Sequence, residues 1–220
     1  MENNNYQKPK VEFVKFTPLS LRMSYKDNDE KDDYAVLSWA MRNGYMRIIV
    51  YLKNANKVQG APFNYNDMLT AAFTPVVFES VLTALEDVIG FENGEEVEID
   101  TYNNVFENRQ RTDKIEIQST VVIGKSSTGV NFISIVKSGA RTVKFPILPD
   151  MRYTRFKDKK GNVVADKAIL SDMHTKSYVK LLDKLTTKAS TDRVLAVEQQ
   201  PKAQSTSSVD TSTLKEDELF

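Results

Sequence analysis

The chain has 220 residues, with 30 Lys plus Arg balanced by 30 Asp plus Glu, a single His, no Cys and 40% hydrophobic residues. That is enough for one sizeable core, and it excludes disulfides, thiolate metal sites and a His-based catalytic triad as organising features. No run of about 18 apolar residues occurs, and the first ten residues lack the apolar segment of a secretory signal, so a cytoplasmic protein is expected.

Residues 1–10 are polar and read as a flexible N-terminus. From Val11 to Lys26 apolar residues alternate, which is strand periodicity interrupted once at Pro18. Asp27 to Asp33 is an acidic loop without the glycine and distal glutamate of a calcium loop, so no metal is assigned to it. Tyr34–Arg42 and Tyr45–Lys53 are strands joined by Asn43-Gly44, a pair that tolerates positive φ at both central turn positions. This hairpin interleaves rings and cations: Trp39, Arg42, Tyr45, Arg47 and Tyr51. A lone strand Trp is more often buried than exposed, which weighs toward a core Trp39.

Asn66 to Ile89 reads as helical, with Thr74 as N-cap, Pro75 in the first turn and Val77, Phe78, Val81, Leu82, Leu85, Val88 and Ile89 at helical spacing. Val97–Phe106, Lys114–Ile123, Val130–Lys137, Arg141–Leu148 and Met151–Lys157 read as strands separated by turns. A second helix is expected from Asp172 to about Lys188, with His174 on its polar side.

Charge is unevenly placed. Between Arg109 and Lys160 twelve cations meet only Asp113, Glu116, Asp150 and Asp158, a local charge of +8 in a neutral chain. Such a field recruits polyanions, and rings among cations suit single-stranded nucleic acid, whose bases stack while its phosphates are neutralised. The candidate binding residues are Arg42, Tyr45, Arg47, Lys125, Lys137, Arg141, Lys144, Arg152, Tyr153, Arg155, Phe156 and Lys157. The plainer reading is a half-buried sheet whose cations solvate its outer face.

After Ala189 the chain turns polar and low in complexity, with a net charge of −3 from Ser190 onward, and a disordered tail is expected over 190–220. It ends Glu216-Asp217-Glu218-Leu219-Phe220. These residues resemble the tails of bacterial and bacteriophage single-stranded-DNA-binding proteins, which close on acidic residues and an aromatic. The resemblance implies partner recruitment through the tail and a role in phage-type replication, recombination or repair. The expected body, 11–189, is α+β: antiparallel sheets with two packed helices in a duplicated strands-then-helix order similar to Whirly proteins, or alternatively an OB-fold barrel.

No cofactor is expected, and no enzyme: Asp100, Glu116 and Asp150 are scattered and match no nuclease motif. The remaining rival is a structural or virion protein that binds no nucleic acid. A homo-oligomer is compatible with either reading.

Overall fold

Each strand is made by residues that can face a core on every second position. The computed structural model describes residues 13–26, 32–52, 63, 68–107, 110–137, 142–151 and 155–198. Four strands, β1 (Phe13–Lys26), β2 (Asp32–Arg42), β3 (Tyr45–Leu52) and β4 (Leu69–Phe73), form an antiparallel meander. Helix α1 (Pro75–Asp87) and a 3₁₀ turn (Val88–Gly90) follow it. Four more strands, β5 (Glu96–Glu107), β6 (Gln110–Lys125), β7 (Asn131–Val136) and β8 (Lys144–Pro146), repeat the meander as a second sheet, and α2 (Lys167–Glu198) follows that. The chain is therefore α+β, with two antiparallel four-stranded sheets and two helices.

The β2–β3 turn forms as its residues dictate, with Asn43 at φ 52° and Gly44 at φ 81°. Pro18 does not end β1; the pairing with β2 slips between Phe16 and Leu21, which accommodates a proline on an edge strand.

Both sheets and both helices share one core. Leu37, Trp39, Met46, Ile48, Leu69 and Phe73 of the first sheet meet Val121, Ile123, Ile133, Ile135 and Phe145 of the second. Phe78, Val81, Leu82 and Leu85 of α1 fill the gap, and Phe78 packs edge-on against Trp39 at 5.8 Å. Helix α2 is pinned to both sheets. Trp39 Nε1 donates to the Tyr178 hydroxyl at 2.6 Å, which donates in turn to the Leu19 carbonyl at 2.7 Å. At the second sheet, Asn131 donates from its amide side chain to Asp172 (2.9 Å) and Thr175 (3.0 Å), while Ser171 accepts from the Asn131 backbone and donates to the Ile147 carbonyl.

Four expectations need correction. The segment read as one helix from Asn66 contains β4, because Leu69, Ala71 and Phe73 are buried at period two against β3; the helix starts only after Thr74, whose side chain accepts from the Val77 amide. The strand expected over Arg141–Leu148 is confined to Lys144–Pro146 among the described residues. Of the strand expected over Met151–Lys157, residues 152–154 lie outside the described residues, and Met151, Arg155 and Phe156 are not in a strand. A single bridge, Lys157 to Val163, closes the turn at Asp158, whose carboxylate accepts from Lys160 and Asn162 and is held below its usual range, chiefly by the Asn162 side-chain donor. Helix α2 starts earlier, with Asp166 accepting from the Ala168 amide, and runs to Glu198, nine residues into the segment assigned to the tail. The N-terminal residues 1–10, the loop residues 27–31 and the tail from 199 onward lie outside the described residues.

Candidate nucleic-acid interface

Because Trp39, Met41, Met46 and Ile48 face the core, strand alternation turns Arg42, Tyr45, Arg47 and Tyr51 to the opposite side of the first sheet. Register brings Phe13 and Lys15 of β1 onto that same side: Phe13 is opposite Arg42, which is opposite Tyr45, and Lys15 is opposite Ala40, which is opposite Arg47. Arg22 pairs with Val36 and Val36 with Tyr51, which extends the surface along the strands.

Ser38 and Ala40 on the central strand β2 are small and wholly covered, so the stems of neighbouring long side chains can lie across them. Lys15 reaches over β2 to place its ammonium 4.9 Å from the centre of the Tyr51 ring. Phe63 adds a ring 5.9 Å from Tyr51. Phe13 and Tyr45 are each 49% exposed, so both offer a ring face to a ligand. No carboxylate occurs among the side chains described on this side. Arg47 is half-buried, and burial first, then the charge of Arg42, lowers its pKa from the usual arginine value.

The second sheet differs from what its sequence suggests. Its strands carry only four of the twelve cations of the +8 stretch, Arg111, Lys114, Lys125 and Lys144, and β5 lays Glu96, Glu98 and Asp100 along the outer face beside them. Lys144 is spent locally: it donates to Glu96 at 3.0 Å and lies over the Phe132 ring at 4.2 Å. Lys125 is 8% exposed, donates to the Ile89 carbonyl at 2.6 Å and pairs with Asp172 at 3.6 Å, so it is a structural lysine rather than a surface cation. Lys114 pairs with Glu116 on its own strand at 2.5 Å. Net charge per segment is thus not net charge per face.

The structure brings together three of the residues expected from sequence, Arg42, Tyr45 and Arg47. Lys137, Arg155 and Lys157 are exposed elsewhere, and Phe156 is half-buried. Arg141, Arg152, Tyr153 and the terminal Glu216, Asp217, Glu218, Leu219 and Phe220 lie outside the described residues. Trp39, offered as a stacking surface as well as a core residue, has no exposure and is core. Sequence reasoning missed Phe13, Lys15 and Arg22. The signal was the period-two pattern of Val11–Lys26, which fixes their side of the strand once the core side is known.

A cavity of about 770 Å³ opens beside this sheet, between the β1 bulge, the segment after β8 and α2, with Arg22, Asp150 and His174 among its lining. His174 is partly buried there, and burial lowers its pKa. Among the described residues no group of three or more His, Asp or Glu is placed to hold a metal ion, and Asp100, Glu116 and Asp150 do not converge. No described helix is long and apolar enough to cross a membrane. Comparison of the chain with protein-family models, with curated proteins and with solved structures finds no match.

Proposed function

We propose that the protein binds single-stranded nucleic acid with little regard to sequence, through the outer face of the first sheet, in phage-type replication, recombination or repair. The observation that carries this reading is the ring-and-cation face itself: Phe13, Lys15, Arg42, Tyr45, Arg47 and Tyr51 on one side, with no described carboxylate among them. Arginines and lysines neutralise phosphates, and exposed rings accept bases at about 1 to 3 kcal/mol each. The strand-and-helix order, four strands then a helix and again four strands then a helix, favours a Whirly-like arrangement over the five-stranded barrel. The protein acts as a binding protein and not as an enzyme, in the cytoplasm of its host cell. Its acidic tail recruits replication or recombination proteins through Leu219 and Phe220.

The test is a titration of labelled single-stranded and duplex oligonucleotides at two salt concentrations. Single strands bind more tightly than duplex, and affinity falls with salt by about −0.7 on a log-log plot per phosphate contact. Arg42→Ala with Arg47→Ala flattens that slope, while Lys125→Ala leaves it unchanged. Binding indifferent to salt sinks the proposal.

One observation favours a second reading. The far ends of β5 and β6 form an arm on which Tyr102 is directly opposite Ile117, with Ile115 two residues along on the same face, and all three are more than half exposed. Exposed apolar side chains of that size are a protein-docking feature. A structural or virion protein would use them, and its signature is a defined oligomer that dissociates on Ile115→Ser with Ile117→Ser and ignores oligonucleotides.

A further inference from the structure

Arg47 occupies the middle of the ring-and-cation face, on β3 between Ala40 of β2 and Ala72 of β4. Only methyl groups flank it, so the side chain can settle against the sheet. Its Nε is fully buried and its N–H meets no acceptor. A buried donor without an acceptor is destabilising, and native structures retain few of them without a reason. Arg42, one row away on the same face, adds like-charge repulsion. Neither guanidinium has a carboxylate partner among the described residues. Two arginines with a spare donor and no counter-charge among the described residues form an arrangement that an oxyanion completes.

We infer that Arg42 and Arg47 form a seat for one phosphate group, with Arg47 turning its Nε–H and Nη–H edge to two phosphate oxygens and Arg42 neutralising the remaining charge. The inference rests on the function proposed for this face and changes its character, from a diffuse positive field to a fixed bidentate contact. In the free protein the Arg47 Nε is buried without an acceptor and the guanidinium is opposed by Arg42. A phosphate relieves both penalties at once, so it favours the turned side chain by differential affinity. Lysine carries the same charge but lacks the planar fork, so it cannot reproduce the contact. The phosphate can belong to a nucleic-acid backbone or to a free phosphate compound; the chemistry at the two guanidiniums is shared.

The full chain is tested in two arms. In the first, labelled oligothymidylate is titrated against the wild type and Arg47→Lys; the variant binds roughly tenfold more weakly although the net charge is unchanged. In the second, pyrophosphate is added to the isotope-labelled wild type and to Arg42→Ala while the Arg47 Nε–H resonance is followed. It shifts in the wild type and stays still in Arg42→Ala. Wild-type affinity in Arg47→Lys overturns the seat, and so does an Nε–H resonance indifferent to pyrophosphate, whatever the variant's affinity. The pyrophosphate arm also decides the matter if Arg47→Lys melts early. If pyrophosphate shifts the resonance while no oligonucleotide binds, the seat stands for free phosphate and the proposed function of the face falls.

Discussion

At Gly44 the backbone favours glycine. Its φ of 81° strains any L side chain, and a Cβ there would also push aside the flexible end of Arg193 of α2. Tyr178 is similarly placed between two demands, accepting from Trp39 and donating to the Leu19 carbonyl; burial raises its pKa far above the ordinary phenol value, so it remains a neutral donor at physiological pH. Tyr178→Phe leaves both a buried indole N–H and a buried carbonyl unpaired. It lowers unfolding free energy by about 1 to 3 kcal/mol in urea melts, with oligonucleotide affinity unchanged. His174 gives a pH signature. Its pKa is lowered in the folded state, so below the unfolded value of about 6.5 the unfolded chain binds the proton more readily. Its contribution is therefore complete above that pH and is lost as pH falls through the folded pKa. Melting temperatures measured from pH 8 down to pH 5 decline, and His174→Gln removes part of the decline; an unaltered profile in the variant contradicts this origin. Arg22 and Asp150 line the same cavity and are kept in both proteins.

Among the elements, the β2–β3 hairpin was the most legible in sequence, since Asn43-Gly44 sets the turn locally and no distant contact is needed. The α1 cap at Thr74 was legible for the same reason. What failed depended on partners far along the chain. Leu69–Phe73 is rich in alanine and runs straight into a helix, and only pairing with β3 makes it a strand. The site was readable in part: Arg42, Tyr45 and Arg47 belong to the locally determined hairpin, whereas the cations of 109–160 are dispersed by burial and by β5, whose carboxylates come from before the stretch. Lys125 gave no hint of burial because its partners, Ile89 and Asp172, are 36 and 47 positions away. The ring assignments separate experimentally at this scale. Tyr45→Ala weakens single-strand binding by about 1 to 3 kcal/mol with an unchanged melting temperature, whereas Trp39→Ala lowers the melting temperature sharply. A Tyr45→Ala protein that binds normally removes this ring from the interface.

Across the whole molecule, a repeated order of strands and helix closes on a single core, so neither half is a separable domain. Helix α2 matters most to that closure, because it bonds to the first sheet through Tyr178 and to the second through Asp172 and Thr175. Its length also decides where the acidic segment can be removed. A cut after Ala189 would take Arg193 away from Gly44, so the informative truncation comes after Glu198. Removing 199–220, which keeps four carboxylate side chains and a phenylalanine out of reach of the basic face, tightens binding to single strands, most at low salt where screening is weakest. Deleting Phe220 alone leaves that affinity unchanged and abolishes partner capture. If truncation after Glu198 weakens binding instead, the tail belongs to the binding site.

The contact between Arg193 and Gly44 gives the proposed interface two distinguishable ends, one at the turn where α2 draws near, with Phe13 and Tyr45, and one at Tyr51 and Phe63. If the interface binds a strand, the strand is expected to lie one way round. Dyes attached at residue 193 and at either the 5′ or the 3′ terminus of a short oligonucleotide would transfer energy unequally if every molecule lies the same way round. Successive proteins on a long strand would then face alike, like beads threaded through a single side.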